Sequence, residues 1–127
     1  MTLPEYVQAE CGKPFRLGAE DCAHFVARWV QERTGRDGLA IFGGLDRDAA
    51  DDLVSRKRLL RSFFEGCRSI GLPRAEDPRS GDVGVIRCGN RHRCAIRSES
   101  GWLYRDETGV VFVTAALTKP LMAWRVA

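Results

Sequence analysis

Few residues in this chain have the chemistry for covalent or acid–base work. There are five cysteines, Cys11, Cys22, Cys67, Cys88 and Cys94, and two histidines, His24 and His92. A thiol becomes a useful nucleophile where its thiolate is favoured. The first turn of a helix favours it, because unpaired backbone N–H groups and the positive end of the helix dipole meet there. Cys22 has that setting. Cys22, Phe25, Val26, Trp29 and Val30 fall at i, i+3, i+4, i+7 and i+8, one apolar helical stripe. Glu20-Asp21 offers an N-cap before it, and Thr34-Gly35 a glycine stop after it. A hydrolase built on such a thiol needs a histidine from a distant segment to shuttle the proton. His24 is not suited, since two positions from Cys22 puts it on roughly the opposite side of the helix. It is read as a surface or interface residue.

The other cysteines are read as small core residues. An odd count with no secretory signal at Met1-Thr2-Leu3-Pro4-Glu5-Tyr6 argues for reduced thiols rather than a disulfide framework. Cys88-Gly89-Asn90-Arg91-His92-Arg93-Cys94 has a Cys-x3-His-x-Cys spacing. Structural zinc prefers paired knuckles with a second pair elsewhere, so core and turn roles are expected and no metal or other cofactor.

The elements that must position Cys22 follow from periodicity. Thr2-Leu3-Pro4-Glu5 reads as a capping box for a helix to about Cys11, broken by Gly12-Lys13-Pro14-Phe15. After the Cys22 helix comes a connecting segment, Gly38 to Gly44, with an apolar plug of Leu39, Ile41 and Phe42. Helix resumes over about 46–70, with Ala49, Leu53, Leu60, Phe63, Phe64, Cys67 and Ile70 as its stripe. From Gly81 the period changes to two. Short strands are predicted at 83–87, 92–97, 102–105, 110–113 and 122–126, separated by turn signals at Gly89-Asn90, 98–101 and 106–109. The expectation is one α+β domain over 1–127, mainly helical over 1–71, with an antiparallel sheet of about five to six short strands over 81–127. Trp29, Trp102, Trp124 and Phe112 are expected as core anchors. Trp102 and Tyr104 share a strand face, which if open would suit a protein partner or a glycan; Leu39 to Gly44 is a second candidate contact loop.

Against this frame the motifs carry a family resemblance. Asp21-Cys22-Ala23-His24-Phe25-Val26 resembles the start of the catalytic helix in NlpC-type cell-wall peptidases, which are papain-like. Ser80-Gly81-Asp82-Val83 resembles the Gly-Asp pair that opens their first sheet strand. Gly12-Lys13-Pro14-Phe15, Trp29-Val30, Thr34-Gly35-Arg36-Asp37, Gly109-Val110-Val111-Phe112-Val113 and Ala123-Trp124-Arg125-Val126 are similar to small proteins encoded with the tail genes of phages and gene-transfer particles. The resemblance implies a papain-like fold with Cys22 at the nucleophile position. The peptidase pattern His-Val-Gly/Ala-Ile is best matched by Arg93-Cys94-Ala95-Ile96, which puts Arg93 at the histidine position and the third, orienting position near Tyr104. Arginine is not a general base. His92 is the substitute, one residue off, and on a regular strand it faces away from whatever Arg93 faces. A bulge near Gly89-Asn90 is the device that would re-aim it.

Composition narrows the partners. Apolar residues make up 44% and charged residues 29%, a soluble globular balance with no stretch of about 20 apolar residues to insert in a membrane. Net charge is +3 with acids and bases interleaved, and Arg56-Lys57-Arg58 beside Asp51 and Asp52 reads as a solvated helix face, so no nucleic-acid partner is expected. The resemblance implies a tail-tip or tail-hub component, made in the bacterial cytoplasm without a signal peptide and incorporated in a phage-like tail, where it meets other tail proteins and peptidoglycan. Its papain-like site is expected to be degenerate. The alternatives are an active cysteine peptidase or amidase cutting peptidoglycan stem peptides, with Cys22 and His92 catalytic, and a cytoplasmic binding module.

Overall fold

The computed structural model describes residues 1–14, 22–38, 59–89 and 91–126. Glu20-Asp21, the Leu39 to Gly44 loop, the predicted helix before residue 59 and the Arg56 basic run lie outside them. The described residues form three helices, α1 (Leu3–Cys11), α2 (Cys22–Thr34) and α3 (Leu59–Ser69), followed by five strands: β1 (Val83–Cys88), β2 (Arg91–Arg97), β3 (Gly101–Asp106), β4 (Gly109–Thr114) and β5 (Pro120–Trp124). The fold is α+β, and among these residues no helix is long and apolar enough to cross a membrane.

The helices form where their ends are satisfied. Thr2 caps α1, its hydroxyl accepting from Glu5 N at 3.3 Å, and Pro4 sits in the first turn where no N–H is needed. α2 ends as its sequence demands: Thr34 donates back to Val30 O at 2.7 Å and Gly35 takes a φ of 71°. The stripe of α2 is buried as a unit, Cys22, Phe25, Val26, Trp29 and Val30 together.

All the strand pairings are antiparallel, in the order β4-β3-β2-β1-β5. The strands run slightly longer than the alternation predicts, except that β5 begins earlier and stops at Trp124. It stops there because the next two amides are used elsewhere, Arg125 N donating to Pro73 O at 2.8 Å and Val126 N to a buried Asp82 oxygen at 3.2 Å. Asp82 also accepts from Arg79 N at 2.8 Å and pairs with Arg125 at 3.1 Å, so the Gly-Asp motif is a tie between the start of β1 and the tail. Trp29 Nε1 donates to Gly81 O at 2.8 Å and fixes the C-terminal half of α2 against that same end of the sheet.

The sheet is curled. β4 ends beside Gly101, at one end of the sheet, and β5 begins opposite Ile86, near the other. In a flat sheet the chain from Thr114 to Pro120 would have to cover about 25 Å, more than the roughly 21 Å its extended length allows. Thr118, within that connection, donates to Arg87 O at 3.1 Å.

Two cores lie on the two faces. The larger packs α1, α2 and α3 onto Val83, Val85, Cys94, Ile96 and Trp124. The smaller gathers Ile86, Ala95, Trp102 and Ala123 with Ala75. Trp102 fits because Gly84 lies across from it; a Cβ there would stand 3.0 Å from the indole and 2.7 Å from Met122 O. The face that Trp102 shares with Tyr104 is therefore not open at Trp102, which is fully buried. Phe112, expected in the core, is instead 50% exposed, because β4 is an edge strand, where Phe112 lies over Gly101.

Candidate functional site

Cys22 is the first residue of α2 and is 4% exposed, in the larger core together with Cys94 and Ile96. Which polar residues share its side of the sheet follows from register. β1 and β2 pair one-to-one without interruption from Val83↔Ile96 to Cys88↔Arg91. Cys94 and Ile96 point into the helix-side core, and Ala95 into the smaller one. Alternation then puts His92 on the helix side and Arg93 on the far side. The ring contact agrees, since the Arg93 guanidinium lies 5.5 Å from the centre of the Tyr104 ring, and Tyr104 packs on the smaller core.

This reverses the expected assignment. Arg93 does not share the face of Cys94 and Ile96, and His92 reaches the helix side with no bulge. The small residue of this strand that lies under the helix is Cys94 and not Ala95. Tyr104 is likewise on the far face. Its neighbour Arg105 alternates to the helix side, where Leu103 packs on the larger core. Arg105 is 3% exposed and donates to Glu10 O and Lys13 O, binding the end of α1 to β3.

Glu10 completes that clamp. Its carboxylate is buried and pairs with Arg28 Nε at 3.1 Å and Lys13 Nζ at 3.3 Å. Burial pushes its carboxyl upward, but the hydrogen bonds and charges of Arg28 and Lys13 outweigh it and hold the group below the ordinary carboxylate range. Tyr6, one turn earlier, donates to Phe25 O, and burial drives its phenol upward. α1 is thus locked onto the first half of α2, the half that presents Cys22.

The far face carries a second polar group. Tyr104 and Cys88 both pack on the smaller core, and the Arg93 guanidinium stacks on the Tyr104 ring. Burial raises the Cys88 thiol, Arg93 and the Tyr104 hydrogen bond pull it down, and Cys22 is close enough to raise it again. Burial raises the Tyr104 phenol too, aided by Cys88 and Asp106. Cys88 faces one way and His92 and Cys94 the other, so the Cys-x3-His-x-Cys run does not converge on one point; among the described residues no group of three His, Cys, Asp or Glu is placed to hold a metal ion. Cys67 is sealed, its thiol driven upward by burial alone.

Arg105 and Glu10 were not singled out in the sequence, and Cys88 only as one end of the Cys-x3-His-x-Cys spacing. Arg105 left a trace, a charged residue two positions from apolar Leu103 on a core-facing strand register. Glu10 also left one, four positions from Tyr6 on the face α1 buries. Neither the curated proteins nor the solved structures include a match to the chain. One protein family does match, over residues 1–126, and by that near-complete coverage the chain belongs to the family described as a domain of unknown function, DUF6950.

Proposed function

We propose that this chain is a papain-like tail component of phage-like particles, and that it carries a cysteine hydrolase site directed at peptidoglycan stem peptides. The observation that carries the reading is the shared side of Cys22 and His92. Cys22 opens α2, and His92 lies on the β2 face that packs against α2. In this reading the Cys22 sulfur attacks an amide carbonyl and the C–S bond forms. His92 takes the thiol proton and passes it to the departing amine, and water then releases the acyl group from the sulfur. Backbone N–H groups in the first turn of α2 stabilise the oxyanion. Arg105 and the Glu10 clamp hold α1, β3 and α2 in a fixed relation around the site.

A second reading is favoured by the burial of Cys22, at 4% exposure. In it the domain is an assembled tail-tip or hub part whose site is no longer used, since function resides in sites and not in folds. Incubating the purified protein with peptidoglycan and following soluble muropeptides by mass spectrometry separates the two. The hydrolase reading expects release that Cys22→Ala abolishes. No release by the unaltered protein, together with normal DNA delivery by particles carrying Cys22→Ala, would leave only the assembly reading.

A further inference from the structure

The two outer strands of the described sheet, β4 and β5, are treated differently by the chain. A strand edge presents N–H and C=O groups that pair with any strand brought alongside. The β5 edge is guarded. It opens with Lys119-Pro120, its pairing with β1 shifts register between Val85 and Ile86, and residues 73–75 lie along it. Ala75 N donates to Ala123 O at 2.9 Å, Arg125 N to Pro73 O at 2.8 Å, and Arg74 forms a bridge with Trp124. β4 carries none of these devices. Its sequence, Gly109-Val110-Val111-Phe112-Val113-Thr114, has no charge and no proline, and its register against β3 is unbroken. None of its residues is buried, and Phe112 is 50% exposed.

Register shows which groups β4 turns outward. Only Glu107 and Thr108 separate the closing pair Asp106↔Gly109, and beyond the other end Ala115 N donates to Ser100 O at 3.0 Å. Bonded pairs alternate between those ends. Val111 and Val113 therefore exchange bonds with β3, while Val110, Phe112 and Thr114 direct their backbone groups away from it. The occupant that fits such an edge is another extended strand. An edge without charge has nothing with which to select a charged partner, whereas a two-fold copy of itself opposes no like charges. We propose that β4 pairs antiparallel with β4 of a second copy about a two-fold axis at Phe112, joining the two sheets into one. Each Phe112 then meets its counterpart, and each Val110 meets the Thr114 of the other copy. A six-residue edge is small beside the roughly 1,200 Å² of a stable interface, so the dimer is reversible and forms as concentration rises. This pairing does not depend on whether Cys22 is active.

Sedimentation velocity on the full chain, from micromolar to millimolar concentration, should show a reversible monomer–dimer equilibrium. Phe112→Lys and Phe112→Glu each set like charges on the axis and should weaken the dimer about tenfold or more, while an equimolar mixture of the two should regain it. Amide exchange on the unaltered protein needs no substitution and therefore no variant that folds. Val110, Phe112 and Thr114 should gain protection as concentration rises, while Val111 and Val113 stay protected throughout. A chain that remains monomeric at millimolar concentration overturns the proposal. So does a dimer that survives both substitutions, or a mixture no tighter than its parts, since the copies would then meet through another face. Protection of the three outward amides at every concentration would mean that the chain covers β4 itself, and overturns it as well.

Discussion

The two faces of the sheet solve the same problem, a polar end on an apolar strand, in different ways. On the helix side, Arg105 and Glu10 are buried and clamp α1, and Cys22 and His92 share the side they brace. On the far side, the Arg93 guanidinium stacks on the Tyr104 ring, and both lie on the face of the smaller core with Cys88. The first arrangement gives rigidity, because Glu10 and Arg105 tie α1 to α2 and to β3. The second holds its charge by stacking on a ring rather than by paired hydrogen bonds. One residue of strand alternation, His92 against Arg93, separates them.

The sharpest way to break this comparison is kinetic. His92→Gln should lower the rate of muropeptide release about 10²–10⁴-fold with little change in stability, as expected for loss of a general base. A loss below about threefold, well short of that range, would remove His92 from the site. On the far face the largest effect should be on stability instead. Trp102→Ala empties the smaller core and should cost about 3–5 kcal/mol in urea denaturation. If it costs less than about 1 kcal/mol, Trp102 does not anchor that face.

Smaller effects sharpen the helix side. Arg105→Met removes the guanidinium donor from Glu10 O and Lys13 O and should cost about 1–3 kcal/mol, with faster amide exchange concentrated in α1. Uniform exchange changes across the sheet would argue against a local clamp. The least effect is that of acid on Glu10. Its carboxyl is held below its ordinary value, so its contribution is complete above about pH 4.3 and is lost as pH falls through the lower folded value. Thermal melts of Glu10→Gln should therefore lie below those of the unaltered protein at neutral pH and converge with them in acid. Parallel curves down to the lowest pH would show that the ion pairs of Glu10 add nothing.

Much of this molecule was legible in the sequence because it is local. The Thr2 cap, the α2 stripe and its Gly35 stop, and the change of period at Gly81 all depend on residues a few positions apart, and they appear where expected. Strand ends were less legible: β5 stops at Trp124 because distant Pro73 and Asp82 claim the next two amides. The exposure of Phe112 followed from strand order, which periodicity does not contain.

The chain by itself determined that Cys22 heads an amphipathic helix, that an antiparallel sheet follows, and that His92 and Arg93 stand on opposite faces. Which face meets the helix was decided only by the tertiary structure. Alternation defines two sides of a strand but not their destinations; these follow from packing, here from Cys94 and Ile96 under α2 and Trp102 over Gly84. The same packing brought Glu10 to Arg28 and Arg105 to α1, since a buried charge can find its partner only after the chain has closed around it.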